Sequence, residues 1–148
     1  MPILRPATPD DKEFCRELHW RTMRAYVEAT WGWNEAEQSQ RFESAFDPSR
    51  TQIIEHDGQA VGMLVVDRAA NPVKLMSIEI APGYQNQGYG SAVIGRIVRE
   101  AKNQAVWLQV LKVNRAKGLY ERLGFVVVGE TPTHWQMLRD PGKTGAAT

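Results

Sequence analysis

The residues most able to do chemistry together lie between Met76 and Gly90. An alternating segment, Met76-Ser77-Ile78-Glu79-Ile80, ends at Ala81-Pro82. Gly83-Tyr84-Gln85-Asn86-Gln87-Gly88-Tyr89-Gly90 follows, and a helix is expected to open at Ser91 and run through Ala92-Val93-Ile94-Gly95-Arg96-Ile97-Val98. A strand that feeds a glycine-bearing turn at a helix N-terminus builds an anion site. The free amides of the first helical turn point outward, and the helix dipole favours negative charge there. Gly88 and Gly90 allow close approach of a ligand or a positive φ. A Walker loop is excluded, because no Lys-Ser or Lys-Thr follows either glycine, and Gly142-Lys143-Thr144 has Met137 where the earlier glycine belongs. A dinucleotide fingerprint is excluded by Val93, which stands where its third small residue would be. The spacing that remains is Gln85-x-x-Gly88-x-Gly90.

A second segment carries its own pattern: Val113-Asn114-Arg115-Ala116-Lys117-Gly118-Leu119-Tyr120-Glu121-Arg122-Leu123-Gly124-Phe125. The first motif resembles the Gln/Arg-x-x-Gly-x-Gly/Ala pyrophosphate loop of the GNAT superfamily of N-acetyltransferases. The second resembles that family's Asn-x-Ala-x-x-Leu-Tyr-Glu-Arg-Leu-Gly-Phe segment, and the likeness covers nearly the whole chain. It implies acetyl-CoA as cofactor and direct acetyl transfer to a primary amine in a ternary complex, with no covalent enzyme intermediate. It further implies that Gln85, Asn86, Gln87, Gly88, Tyr89, Gly90 and Ser91 cradle the pyrophosphate through main-chain amides. Ile80 and Ala81 would offer main-chain groups to the pantetheine arm, where the neighbouring parallel strand splays away. Asn114 would hydrogen-bond the cofactor arm, with capping of the following helix as the other reading. Tyr120 would protonate or hydrogen-bond the departing sulfur, with packing under the last strands as the alternative. Gly118 lies inside a short helix, where glycine costs about 1 kcal/mol against alanine.

Moving an acetyl group to an amine requires a base for the ammonium, donors for the oxyanion and a proton for the leaving thiolate. Alternation puts Ser77, Glu79 and Ala81 on one face of their strand and Ile78 and Ile80 on the other. Glu79 is therefore the candidate base, acting directly or through water, if partial burial raises its pKa. A solvated or salt-bridged strand carboxylate is the competing reading. The run Tyr26, Trp31, Gly32, Trp33 stands in the region that the resemblance assigns to the acceptor wall. Tyr26, Trp31 and Trp33, with Glu28 and Glu35 nearby, would grip an amine by cation–π contact and charge; packing between helices is the alternative. Cys15 reads as a small packed residue rather than a nucleophile. His19, His56 and His134 form no metal spacing with it, and no metal is expected.

These groups require elements to hold them. Ile3–Ala7 reads as a short extended opening. Thr8 as N-cap, Pro9 at N1 and two acids then start a helix, with Phe14, Leu18, Thr22 and Ala25 near one face and a stop at Gly32. Asn34 caps a second helix running Glu35 to Phe46, which Asp47-Pro48 ends. Thr51–His56, the Asp57-Gly58 turn and Ala60–Asp67 form a hairpin. Val73–Ala81 is the third strand. Ala105–Leu111, a short helix over Arg115–Leu123, and strands Phe125–Gly129 and Thr133–Leu138 complete the chain. The order β-α-α-β-β-β-α-β-α-β-β describes an α/β (α+β) fold with a mixed, mostly antiparallel sheet flanked by helices, which the family resemblance also implies. One domain is expected over residues 1–139, with 140–148 as a flexible polar tail.

At 148 residues and a net charge of +1, the chain has no broad field for nucleic acid or anionic membranes. No apolar run approaches the roughly 20 residues of a membrane helix, and no secretory h-region follows Met1. A single cysteine forbids an internal disulfide and suits a reducing, cytoplasmic compartment. Two functions compete: an N-acetyltransferase acting on a small-molecule or peptide amine, and a non-catalytic acyl-CoA sensor on the same fold. The presence of both Glu79 and Tyr120 favours the enzyme. A homodimer is a further expectation that the resemblance carries.

Overall fold

The structure is a computed structural model that describes residues 2–141. Most of the expected tail, including Gly142-Lys143-Thr144, lies outside the described residues. The elements follow the expected order: β1 (Ile3–Pro6), α1 (Lys12–Trp31), α2 (Glu35–Ala45), β2 (Thr51–His56), β3 (Gln59–Asp67), β4 (Val73–Ile80), α3 (Tyr89–Ala101), β5 (Val106–Leu111), α4 (Ala116–Arg122), β6 (Val126–Glu130) and β7 (His134–Arg139). Single 3-10 turns stand at Pro9–Asp11, Pro48–Arg50 and Pro82–Tyr84. The seven strands form one sheet in the order β1-β2-β3-β4-β5-β7-β6. The β1–β2, β2–β3, β5–β7 and β6–β7 pairs are antiparallel, and β4–β5 is parallel at Val73↔Val106 and Lys74↔Trp107. The chain divides into two compact units, one of Met1–Val65 with Ser77–Gly90, the other of Val66–Met76 with the chain from Ser91.

In the first unit, local chemistry explains each boundary. Pro9 opens a 3-10 turn rather than the helix itself, and α1 begins at Lys12. Thr8 stands at the N-cap of that turn with Pro9 following it, as expected, and its N–H donates to Asp11 Oδ2 at 2.8 Å, the return arm of a capping box. Arg5 clamps the same carboxylate with two hydrogen bonds of 2.9 Å and reaches Glu55 at 2.7 Å. Gly32, at φ 82°, ends α1 with its N–H on the Glu28 carbonyl. The Asn34 side chain accepts the Glu37 N–H at 2.9 Å and caps α2, as expected. Asp57 and Gly58 both have positive φ, 52° and 78°, the signature of a type I′ hairpin turn between β2 and β3. Helix α1 buries Cys15, Leu18 and Val27, while Ala25 is exposed. The expected stripe therefore drifts off the core face beyond Thr22. Cys15, Leu18, Ile53, Met63 and Ala81 share one apolar cluster, against which Phe14, Phe42, Phe46 and Tyr84 pack.

In the second unit, α3 buries Val93, Ile94, Ile97 and Ala101, a stripe at helical spacing. Strand β5 buries Val106, Leu108, Val110 and Leu111, as its apolar run requires. The end of α4 explains why Leu123-Gly124-Phe125 takes that order. The Phe125 N–H reaches the Tyr120 carbonyl at 3.0 Å and the Gly124 N–H reaches Glu121 at 3.1 Å, with Gly124 at φ 96°. This is a Schellman stop, which needs glycine at the left-handed position and places the next residue in the core. Phe125 is fully buried and its ring meets Tyr120 edge-on at 6.0 Å.

Candidate active site

Glu79 is buried, and three side chains of the first unit meet at its carboxylate. Alternation on β4 does place Ser77 beside it: the Ser77 hydroxyl lies 3.3 Å from Oε2. Helix α1 supplies the other two partners. The Thr22 hydroxyl donates to Oε1 at 2.7 Å, and His19 Nδ1 stands 3.0 Å from Oε2. His19 and Thr22 are three residues apart and so share a helix face. The solvated reading of Glu79 is therefore overturned by burial, and its carboxylate is hydrogen-bonded, with histidine among the partners. Nothing local in the sequence marks His19 as a partner of Glu79, because the two are 60 positions apart. The one available signal was a polar pair at helical spacing beside the buried Cys15 and Leu18.

Beyond Glu79 the chain enters the glycine loop. Just past β4, the Ala81 N–H donates to the Val61 carbonyl at 2.8 Å and the Ala81 carbonyl accepts the Tyr84 N–H at 2.8 Å. Ala81 was expected to offer its main chain to a ligand, but both groups are committed within the protein. Strand alternation turns the Ile80 main chain to the edge opposite β3, so Ile80 keeps that expectation better. Its carbonyl accepts Gln85 Nε2 at 2.9 Å, and the Gly83 carbonyl accepts Gln87 Nε2 at 3.2 Å. Both glutamine side chains thus satisfy acceptors of their own loop, while the loop residues Gln85–Gly88 stay exposed.

Helix α3 starts at Tyr89, two residues before the expected Ser91, so Gly90 belongs to its first turn. Gly88 has φ 89° and Asn86 has φ 61°; Gly90 is not in that region. Tyr89 is wedged between His56 and Tyr84, with ring centroids at 5.4 and 6.0 Å, and the Tyr84 hydroxyl donates to Gln59 at 2.9 Å. These contacts pin the loop to the β2–β3 hairpin. A helix start whose first-turn amides lack intrahelical partners, entered through a positive-φ glycine with open space about it, fits a pyrophosphate.

The aromatic run behaves unequally. Trp31 is 60% exposed and Tyr26 is half-buried. Trp33 is already engaged: its indole N–H donates to Glu35 at 2.9 Å and the Arg24 guanidinium sits 4.9 Å over its ring. Trp20, which the sequence reading did not single out, gives its N–H to the other Glu35 oxygen at 2.8 Å and meets Trp33 edge-on at 5.4 Å. The hydrogen bonds from Trp33 and Trp20 hold the Glu35 carboxyl below its usual range. Packing between the helices thus accounts for Trp33, while Trp31 presents its ring outward.

In the second unit, Asn114 Oδ1 accepts the Ala116 N–H at 2.9 Å, an Asx turn that leads into α4, whose N-cap position is taken by Arg115 rather than Asn114. Tyr120 is buried, and desolvation pushes its phenol up to about 12. Among the described residues its hydroxyl has no hydrogen-bond partner. Cys15 is fully buried and its thiol is pushed up to about 12, chiefly by desolvation, which fits packing rather than nucleophilic work. Among the described residues no group of three or more His, Cys, Asp or Glu side chains is placed to hold a metal, and no helix is long and apolar enough to cross a membrane.

The model of the acetyltransferase (GNAT) family matches residues 12–125, and the chain belongs to that family. It is 32% identical over 77 residues to a [ribosomal protein bS18]-alanine N-acetyltransferase of Haemophilus influenzae, covering 50% of this chain and 52% of that one. It is 31% identical over 93 residues to the 5-NmdU N-acetyltransferase of Pseudomonas phage PaMx11, covering 60% and 66%. The chain thus spans about half to two-thirds of the length of these relatives. Its fold is similar to the PaiA N-acetyltransferase from Thermoplasma acidophilum in complex with coenzyme A, with a TM-score of 0.76, 14% identity, and 95% and 99% of the two chains covered. The ribosomal-protein-S18-alanine N-acetyltransferase of Escherichia coli aligns with a TM-score of 0.69 at 20% identity over 95% and 94%.

Proposed function

We propose that this chain is an acetyl-CoA-dependent N-acetyltransferase that moves an acetyl group directly to a primary amine of a small molecule or peptide. The observation that carries the reading is Glu79: a buried carboxylate, held by three side chains and standing one step before the main-chain edge that leads into the anion loop. A family of transferases gives that arrangement its context. The match crosses both compact units, which supports one catalytic domain over residues 1–139. The relatives' names carry unlike acceptors, a ribosomal-protein alanine and 5-NmdU, and both belong to N-acetyltransferases. The buried, unpaired thiol of Cys15 suits a reducing compartment such as the cytoplasm.

In this reading the first turn of α3 and the Gln85–Ser91 loop hold the pyrophosphate, and Ile80 orients the pantetheine arm. Bound there, acetyl-CoA supplies the activated acetyl group. Glu79 belongs to the basic centre that deprotonates the ammonium. Tyr120 serves the departing sulfur. A coenzyme A thiol should resemble a cysteine, with a pKa near about 8.5. A phenol raised to about 12 is then a poor proton donor to it and a better hydrogen-bond donor. Tyr120 therefore stabilises the thiolate more than it protonates it. The test is thiol release from acetyl-CoA against a panel of amines, polyamines, amino acids and N-terminal peptides. Amine-dependent release is expected, with Glu79→Gln lowering kcat by about 100-fold or more. Absence of release with every amine would overturn the enzyme reading. Near-normal turnover of Glu79→Gln at saturating amine over about pH 6 to 9 would remove Glu79 from it.

A further inference from the structure

The geometry around Glu79 points to a second residue in the basic centre; this inference rests on the transferase reading above and deepens it. We propose that the His19 imidazole, oriented by Glu79, is the group that takes the proton from the acceptor ammonium, and that Glu79 is its positioning residue. Three observations lead there. The Glu79 side chain is only 6% exposed, while that of His19 is 27% exposed, so of the pair the imidazole is the one an acceptor can reach. Thr22, Ser77 and His19 all converge on the carboxylate, which leaves it better placed to hold a neighbour than to meet a substrate. His19 uses Nδ1 for Glu79 at 3.0 Å, and among the described residues Nε2 has no hydrogen-bond partner. A carboxylate at Nδ1 selects the tautomer with the proton on that nitrogen, and the lone pair then sits on Nε2. That is the base-and-orienter arrangement known from nucleophile-activating triads, here without a nucleophile on the protein.

The surroundings fix the ring. Trp20 meets the imidazole edge-on at 5.8 Å and Phe42 of α2 lies at 6.3 Å. The charged and titratable groups facing the pair are few. Glu79 itself comes from β4; the Cys15 thiol on α1 is raised in part by the Glu79 charge; Arg16 is held over the Trp20 ring at 4.9 Å. From α2 the facing side chain is the uncharged Phe42.

The step balances as follows. One ammonium N–H bond breaks and its proton passes to His19 Nε2, giving an imidazolium that Glu79 stabilises. The freed nitrogen pair attacks the thioester carbonyl carbon. The C–S bond then breaks, the sulfur leaves with the electron pair, and it takes the second proton released by the nitrogen. The imidazolium returns its proton to solvent, so ammonium and thioester become amide, thiol and one proton.

The test pairs His19→Asn with His19→Ala in the whole chain. Asparagine keeps an N–H toward Glu79 and removes the basic nitrogen. The expected result is a kcat about 100-fold lower in both variants, an unchanged KM for acetyl-CoA, and an acid limb of kcat/KM displaced by about one pH unit or more. Added imidazole should restore part of the turnover of His19→Ala, which a merely structural histidine would not allow. In Glu79→Gln the acid limb should also move. A His19→Asn enzyme within about threefold of wild type and with the same profile overturns the proposal. A second readout needs no turnover: 15N NMR of the wild-type imidazole should show the neutral ring protonated at Nδ1, and protonation at Nε2 overturns the dyad. Should wild type release no thiol with any amine, the transferase reading falls on that arm alone, while the NMR arm still decides the dyad.

Discussion

Gly62 on β3 and Glu79 on β4 touch through their backbones: a Cβ built on Gly62 would overlap the Glu79 carbonyl oxygen and stand 3.1 Å from Ile80 Cδ1 and 3.2 Å from Ile54 Cδ1. Glycine is needed there because the neighbour that must yield is main chain of the strand carrying the candidate base. Gly62→Ala is expected to cost about 1–3 kcal/mol of stability, as overpacking a close contact does. It should also lower kcat more than it raises the KM for acetyl-CoA, since relieving the overlap moves Glu79 relative to His19 and Thr22. Thermal melts and thiol-release kinetics on the same preparation check both parts. A variant as stable and as active as wild type would show that the two strands do not approach this closely.

The two hydroxyls on Glu79 should rank by geometry. Thr22 donates at 2.7 Å and Ser77 lies at 3.3 Å, and hydrogen bonds to a charged group contribute about 1.5–3 kcal/mol. Thr22→Val keeps the shape of the side chain and removes the shorter bond, so it is expected to lose about 2 kcal/mol in denaturant unfolding. Ser77→Ala should lose less than half of that. The reverse order would mean that Ser77, on the same strand, is the main support of the carboxylate.

The sequence made the element order legible because each element carries its own local signal. Asp57-Gly58 declares its turn, Asn34 its cap, Gly32 and Gly124 their helix stops. The glycine loop before α3 was legible for the same reason, being written in consecutive residues. What stayed hidden was long-range. His19 and Thr22 come to Glu79 across 60 and 57 positions, and no local periodicity encodes which strand residue a helix face will meet. Trp20 escaped notice because its partner Glu35 lies beyond the helix stop, while Trp33 was noticed and proved to be bound to that same carboxylate. Ala81, expected to offer main-chain groups to a ligand, has its N–H taken by Val61 because strand pairing is a property of β3 rather than of the loop motif.

Acid should weaken the first unit through Asp11. The hydrogen bond from Arg5 holds the Asp11 carboxyl at about 2 against an ordinary 3.8. A folded pKa below the unfolded one gives stability that is full above the unfolded value and is lost as pH falls through the folded one. Wild type is therefore expected to lose this contribution between about pH 4 and pH 2, on the order of 1 kcal/mol once solvent screening of the pair is allowed for. Asp11→Asn should be less stable near neutral pH and show a flatter acid limb. Urea midpoints taken across that window, compared between the two proteins, check the sign.

Gly118 offers a gain in stability. A Cβ there would meet Arg122 Nη1 at 3.6 Å, an ordinary contact with the end of a flexible side chain. No neighbouring strand approaches closely enough to demand glycine. Gly118→Ala is expected to stabilise the protein by about 0.5–1 kcal/mol, through better helix propensity in α4 and a less flexible unfolded chain. A melting temperature equal to or below that of wild type would contradict this.

Gly88 separates conformation from packing in the anion loop. Its φ is 89°, yet a Cβ added there meets nothing within 4 Å. Alanine would fit the space but not the backbone conformation, so the folded protein should lose only about 1 kcal/mol. If the loop amides hold the pyrophosphate, relaxing Gly88 out of the left-handed region turns them away from the ligand and withdraws hydrogen bonds to a charged group. The KM for acetyl-CoA is then expected to rise about tenfold or more with little change in the KM for the amine. Such a selective rise would report the loop's part in holding acetyl-CoA, through the direction of its amides or the space that the methyl takes from the ligand. An equal effect on both substrates would instead indicate a general loosening of the start of α3. Calorimetric titration with coenzyme A alone, where turnover plays no part, separates the two outcomes.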